Sequence, residues 1–304
     1  GKVRPPPPVP SQLCRDGDST TMMQFVRYTQ NGPPEWGVQA SESIHRLSAL
    51  PGGGPELTDL CGDSYRESIA AAIETGALPT VDAGGVDRLA PVPVPGKIVA
   101  VGLNYRDHAE EQDAEIPESP LLFSKAPTAV TNPGAPIVHP EGIDDVDYEV
   151  ELGIVVGRTA RNVDAGEARE YIAGYTVVND VSARDAQFGD GQFFRGKSYD
   201  TFAPMGPALA TGEEFDPDTA ELRTRVNGAV KQHSDTGQFI FGVDELLEYV
   251  SGVMTLRPGD VVTTGTPGGV GIFRDPPELL EPGDTVTVEI EGIGALTNPV
   301  VDET

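Results

Sequence analysis

Asp147 to Arg158 reads DYEVELGIVVGR. Val150, Leu152, Ile154 and Val156 share one parity and Glu149 and Glu151 the other, so a strand places the two carboxylates together on the face opposite the apolar side chains. Two oxygen ligands then stand side by side, as a hard divalent cation requires. The spacing alone is not specific: the chain holds 48 acidic residues, and the strand-like VTVEIEG repeats the interval at Glu289 and Glu291. What separates the first pair from the second is the set of residues that accompanies it along the chain.

A chain of 304 residues is long enough for one large or two modest domains and needs neither a disulfide nor a metal to build a core. No internal repeat is visible. With 21 basic and 48 acidic residues the net charge is −27, which argues against a nucleic-acid backbone or an anionic membrane as partner. Only five of the basic residues are lysines. So many acids with so little lysine point to a halophilic protein, whose carboxylate surface stays hydrated in high salt while self-repulsion is screened. The acidity then concerns solvent rather than substrate. Cysteine is confined to Cys14 and Cys61, and no apolar run approaches the ~20 residues of a membrane span, so a reducing cytoplasm is the expected location.

Residues 1–21 hold four consecutive prolines and an excess of basic over acidic residues, against the trend of the rest of the chain. They lack the apolar core of a signal peptide and are expected to be a disordered extension, with Met22 or Met23 as the natural start. Residues 22–96 are expected to form a small N-terminal domain that packs on the larger one. The segments QFVRY, EWGVQA and SIHRLSA read as a meander, SYRESIAAAIETG as a helix stopped at Gly76, and the proline-rich LAPVPVPGK as a linker.

Residues 97–304 open with the buried strand KIVAVGL and continue into NYRDHAEEQ, where His108 and Glu111 are neighbours on a helical turn. A carboxylate beside an imidazole raises its basicity and fixes its orientation, as a water-activating base needs, although an exposed, solvated helix would have the same sequence. Four histidines in the whole chain argue against a His-rich zinc site. Lys125 follows an apolar run, either buried or snorkelling to the surface. DAGEAREYIAG reads as helical; the strand YTVVND then ends at Asp180, which could cap the following helix or complete an acidic site with Glu149 and Glu151. Arg184, Asp185 and Gln187 fall on one helical turn, and Lys197 and Arg195 in a glycine- and aromatic-containing loop. LRTRVNGAVKQHSDT reads as a hairpin turned at Asn227-Gly228, and FIFGVDELLEYVSG as a helix ending near Gly252. The loop VVTTGTPGGVGIF offers backbone amides and the Thr266 hydroxyl to a carboxylate, and lacks the Gly-Lys-Ser/Thr of a phosphate loop.

Taken together, GLNYRDHAEE, LLFSKAPTAV, DYEVELGIVVG, GYTVVNDVSARDAQ, RGKSYDTFAPMGP, VNG, TLRPGDVVTTGTPGGVG and IEGIG, in this order over some 200 residues, resemble the fumarylacetoacetate hydrolase family and especially its acylpyruvase and homoprotocatechuate-pathway isomerase/decarboxylase branch. The resemblance implies a mixed, β-rich α+β fold with a β-roll or sandwich-like catalytic domain and a smaller N-terminal domain, assembled as a homodimer. It implies Glu149, Glu151 and Asp180 as divalent-metal ligands. His108 and Glu111 are implied as a dyad on a segment that orders over substrate. Lys125, Lys197, Gln187 and Thr266 would line the pocket and Arg184 would support it.

Three carboxylates suit Mg²⁺ or Mn²⁺ and leave room for water and a chelating 2-oxo acid. The enolate of such an acid serves hydrolysis, decarboxylation and keto-enol or double-bond isomerisation alike. Hydrolysis of an acylpyruvate such as fumarylpyruvate is the expected reaction, because the water-activating dyad is present. The alternatives are isomerisation or decarboxylation of an aromatic-degradation dienedioate, decarboxylation of oxaloacetate, and, from another class, a catalytically silent acidic binding protein such as a divalent-ion buffer. A buffer has no use for His108, Lys125 and Lys197 beside its carboxylates.

Overall fold

The computed structural model describes residues 23–211 and 215–303; the proline-rich segment 1–21 lies outside them. The strand Val150–Val156 is buried along its whole length, and its two parities face different cores. Val150, Leu152, Ile154 and Val156 join Leu222, Val286, Val288, Ile290 and Leu296 in the largest apolar cluster, whereas Val155, on the parity of the carboxylates, belongs to a second cluster. The alternation therefore records two buried faces rather than one buried and one wet.

Val150–Val156 lies inside a twelve-stranded mixed sheet, between Ile172–Asn179 on one side and Val261–Thr263 on the other. Beyond Val261–Thr263 come Ile98–Gly102, paired parallel, and then the edge strand Leu121–Lys125. A five-stranded sheet, ordered Ala229–Asp235, Glu221–Val226, Thr285–Ile290, Gly294–Asp302 and Ile137–His139, supplies the opposite wall of the main core. Its hairpin turns at Asn227 and Gly228, both at positive φ (52° and 83°), a pair that matches the twist of the flanking strands. The helix Val243–Val253 buries Val243, Leu246, Leu247 and Val250, the spacing of one helical face.

The N-terminal strands extend the same sheet. Gln24–Thr29 pairs antiparallel with Ala203–Ala210, placing Phe25 opposite Leu209, and the second core mixes Phe25, Leu47 and Ile69 with Val155, Val178 and Val261. The region is thus tied to the larger one by backbone hydrogen bonds as well as by apolar contact. The helix expected before Gly76 runs Asp63–Glu74, and Gly76 closes it at φ 68°. One expectation is corrected: DAGEAREYIAG is not α-helical but holds a 3₁₀ segment, Ala165–Tyr171, running directly into the next strand. It buries only Ala168, so it has no apolar stripe to reward a full helical turn against the core. No helix among the described residues is long and apolar enough to cross a membrane.

Candidate metal centre

Strand register brings the acids together. Val150 pairs with Asn179, so Glu149, one residue before its strand, lies beside Asp180, one residue past the neighbouring strand, and the Asp180 amide donates to the Glu149 carbonyl at 2.8 Å. The Asn179 side-chain oxygen accepts from the Glu149 amide at 3.0 Å. Glu149, Glu151 and Asp180 are all buried, and each offers a carboxylate oxygen within 4.8 Å of the other two. Capping does not explain Asp180: the next helix, Arg184–Asp190, starts after Ala183 and has no side-chain cap. The look-alike Glu289 instead pairs with Arg225 at 2.8 Å on a half-exposed strand, and Glu291 is exposed.

Three buried cations surround the acids unequally. Lys197 bridges Glu149 and Asp180 at 2.7 and 2.8 Å, Lys125 reaches Asp180 at 2.5 Å, and Arg184 reaches Glu149 at 2.7 Å. Glu151 forms no ion pair among the described residues, and its Oε2 accepts from the Gly265 amide at 3.0 Å. The charge states follow. Burial would raise the Glu149 carboxyl, but Lys197 and Arg184 outweigh it and hold it at about 2. Burial, then Asp180 and Glu149, push the Glu151 carboxyl well above the usual range. Burial lowers Lys125, against the pull of Asp180, whereas Lys197 stays raised because Asp180 and Glu149 overcome its own burial. An all-oxygen cluster with one buried member, Glu151, lacking a cation fits a hard divalent ion, which would compensate the one carboxylate that the protein leaves unpaired.

The dyad closes one side. On the short helix Arg106–Glu111, His108 Nδ1 lies 3.1 Å from Glu111 Oε2, and His108 is 7% exposed, so it is not the solvated residue of a surface helix. The other ring nitrogen, Nε2, lies 2.7 Å from the Gln112 side-chain nitrogen, so the amide donates to it and Nδ1–H donates to Glu111. The glycine-rich loop does hold carboxylates, but they are the protein's own. Gly268 and Gly269 donate to Asp107 and Glu111 at 3.3 and 2.9 Å, fastening the dyad helix to the loop. Lys197 sits in a short helix, Phe194–Lys197, while its neighbour Arg195 turns outward to Asp190.

All ten residues singled out in the sequence lie in or against this cluster, with Gln187 joined through Arg184 (3.0 Å) and Thr266 one residue beyond Gly265. Two partners were not legible. Asp147 is fully buried and accepts from Arg184 (2.9 and 2.7 Å) and from the Tyr148, Gly271 and Ile272 amides, so it fixes Arg184 against Glu149. Gln232, from the far hairpin, bonds to both the acid-bearing strand and Thr266. The first stood inside the quoted motif on the parity of the acids; the second had no signal in its own segment.

Residues 97–301 match the fumarylacetoacetate (FAA) hydrolase C-terminal family. A mitochondrial oxaloacetate tautomerase of Rattus norvegicus is 43% identical over 236 residues, 77% of this chain and 75% of the relative. Among solved structures, a 5-carboxymethyl-2-hydroxymuconate delta-isomerase from Mycobacterium smegmatis is 38% identical with a TM-score of 0.76, covering 93% of this chain and 100% of that one. A fumarylacetoacetate hydrolase from psychrophilic Exiguobacterium antarcticum is 36% identical with a TM-score of 0.81, covering 92% and 100%.

Proposed function

The chain belongs to the fumarylacetoacetate hydrolase family, and we propose that within it this protein is a divalent-metal-dependent enzyme interconverting the keto and enol forms of an oxaloacetate-like 2-oxo acid. The observation that carries this reading is the buried carboxylate triad in which Glu151 alone has no cation while Lys125, Lys197 and Arg184 crowd its neighbours. Glu149, Glu151 and Asp180 would hold Mg²⁺ or Mn²⁺, which as a Lewis acid stabilises negative charge on the oxygen of an enolising 2-oxo acid. Lys125 and Lys197 supply positive charge to substrate oxygens inside an acidic protein, and their burial strengthens that field. His108, oriented by Glu111, takes or returns the proton at the carbon next to the 2-oxo group; incoming substrate displaces Gln112 from Nε2 to expose the lone pair.

Tautomerisation needs a proton carrier and no attacking water, and relatives 43–44% identical carry that activity in their names. The second reading, hydrolysis of an acylpyruvate releasing pyruvate, is favoured by the same dyad, since an imidazole set against a carboxylate also activates water. Purified protein in high KCl with Mg²⁺, offered enol oxaloacetate and a panel of acylpyruvates, separates the two. The proposal expects accelerated enol-to-keto conversion above a Mg²⁺-only control. Acylpyruvate cleavage without that acceleration would replace it with hydrolysis, and neither activity would return the chain to a metal-binding role.

A further inference from the structure

Gln232 stands on the strand Ala229–Asp235, in the five-stranded sheet and far in sequence from the acids, yet it is fully buried. A side-chain amide has two donors and one oxygen with two lone pairs, and here all four are used. The nitrogen donates to Thr266 Oγ1 at 2.8 Å and to the Pro267 carbonyl at 2.9 Å. The oxygen accepts from the Val150 amide at 3.1 Å and from the Thr224 hydroxyl at 2.7 Å. Val150 lies between Glu149 and Glu151, and Thr266 follows Gly265, whose amide holds Glu151. One side chain thus spans the strand that carries the acids and the loop that faces them.

This arrangement fixes a proton. Because Gln232 is already a donor to Thr266 Oγ1, the Thr266 hydroxyl cannot point its own hydrogen back along that line. No acceptor for that hydrogen is found among the described residues, although Thr266 is 4% exposed. A buried hydroxyl hydrogen beside a carboxylate-and-lysine cluster, left without a protein acceptor, is a donor held ready for a ligand oxygen.

We propose that Gln232 is a positioning residue that locks Thr266 as a donor to the carboxylate of the bound 2-oxo acid. This rests on the proposed function in so far as the ligand is a 2-oxo acid. Because Thr266 already accepts from Gln232, it meets the ligand as a donor, so the pocket selects for an anionic oxygen at that point and against a group that can only donate, such as an ammonium.

The test measures binding of oxalate, a planar stand-in for the 2-oxo acid head, to Mn²⁺-loaded protein by calorimetry, together with KM and kcat for oxaloacetate. Thr266→Val and Gln232→Met are each expected to weaken oxalate by about 10- to 100-fold, the worth of one hydrogen bond to a charged group. The loss should fall on oxalate affinity and KM rather than on kcat, and combining the two substitutions should add less than about twofold to either alone, because both act through one proton. Where circular dichroism shows Gln232→Met to be poorly folded, Gln232→Glu takes its place: its ionised carboxylate has no donor and draws the Thr266 hydrogen to itself, so it should give the same loss of oxalate affinity, about 10- to 100-fold. Multiplicative losses in the double variant, or a folded Gln232→Met that binds oxalate as the parent does, overturn the proposal. A parent that turns over no oxaloacetate but shows the non-additive oxalate pattern refutes the functional reading and leaves this one standing. A parent that binds no oxalate overturns both.

Discussion

Glu151→Gln should do two opposite things. In the metal-free protein the substitution removes a buried carboxylate that has no cation partner, while the amide oxygen keeps the bond from Gly265. Keeping that group either ionised without a cation or protonated against its preference in water costs roughly 1–3 kcal/mol or more, so the variant should be more stable than the parent when metal is stripped, with a melting temperature raised by several degrees. The pH dependence has a definite sign. Burial and its two acidic neighbours raise the folded Glu151 carboxyl above its unfolded value, so the native state holds the proton more tightly. The parent's stability is intact below the unfolded pKa and falls as pH rises toward the folded one, a decline that Glu151→Gln should lack. With Mn²⁺ present the order reverses, because one of three ligands is neutral and the ion is held weakly; calorimetry should show affinity reduced by about 10²-fold or more. Glu289→Gln, which breaks a half-exposed pair with Arg225, should move stability by no more than about 1 kcal/mol and leave metal affinity alone. Differential scanning calorimetry of both variants with EDTA and with Mn²⁺ decides the matter. A Glu151→Gln protein that melts lower than the parent without metal and binds Mn²⁺ equally well would refute the reasoning, as would equal harm from Glu289→Gln.

His108→Ala should lower enol-to-keto conversion by ~10² to 10⁴ while oxalate still binds, the usual worth of a positioned proton carrier; a parental rate would mean that the dyad only shapes the lid of the site. If acylpyruvates are cleaved, the same variant should lose hydrolysis more than oxaloacetate decarboxylation, which needs no attacking water. Asp147→Asn turns a new donor toward Arg184 and the Ile272 amide and leaves a buried guanidinium half-compensated, so urea melts should show a loss of about 3 kcal/mol or more. The net charge of −27 should make the melting temperature rise between about 0.1 M and about 3 M KCl, and a flat profile would contradict adaptation to salt.

The acidic triad was legible because strand periodicity puts Glu149 and Glu151 on one parity, and because a strand ending at Asp180 is the natural antiparallel neighbour. The hairpin at Asn227-Gly228 and the helix face at Val243, Leu246, Leu247 and Val250 were legible for the same reason: their signals lie within a few residues of chain. What escaped was long-range. Gln232 meets Val150 across 82 positions of sequence, and nothing in VKQHS marks its side chain as buried or its amide as fully bonded. Phe25 joins the sheet through a pairing with Leu209 that no local pattern announces. Asp147 was hidden differently, as one acid among many until Arg184 and the Gly271 and Ile272 amides are seen to converge on it. DAGEAREYIAG has helix-forming residues but only Ala168 to bury, so local propensity alone does not carry it beyond a 3₁₀ segment.

Metal-dependent enolisation is tested most directly by stripping the protein with EDTA, titrating Mg²⁺ back, and following the decay of enol oxaloacetate by its ultraviolet absorbance, corrected for the ion alone. The account predicts negligible acceleration by the stripped protein, a rate that climbs and saturates as one ion binds per chain, and no such climb in Glu151→Gln. Stripped protein that converts the enol as fast as the loaded enzyme, or a Glu151→Gln variant that follows the parent's titration, would contradict it.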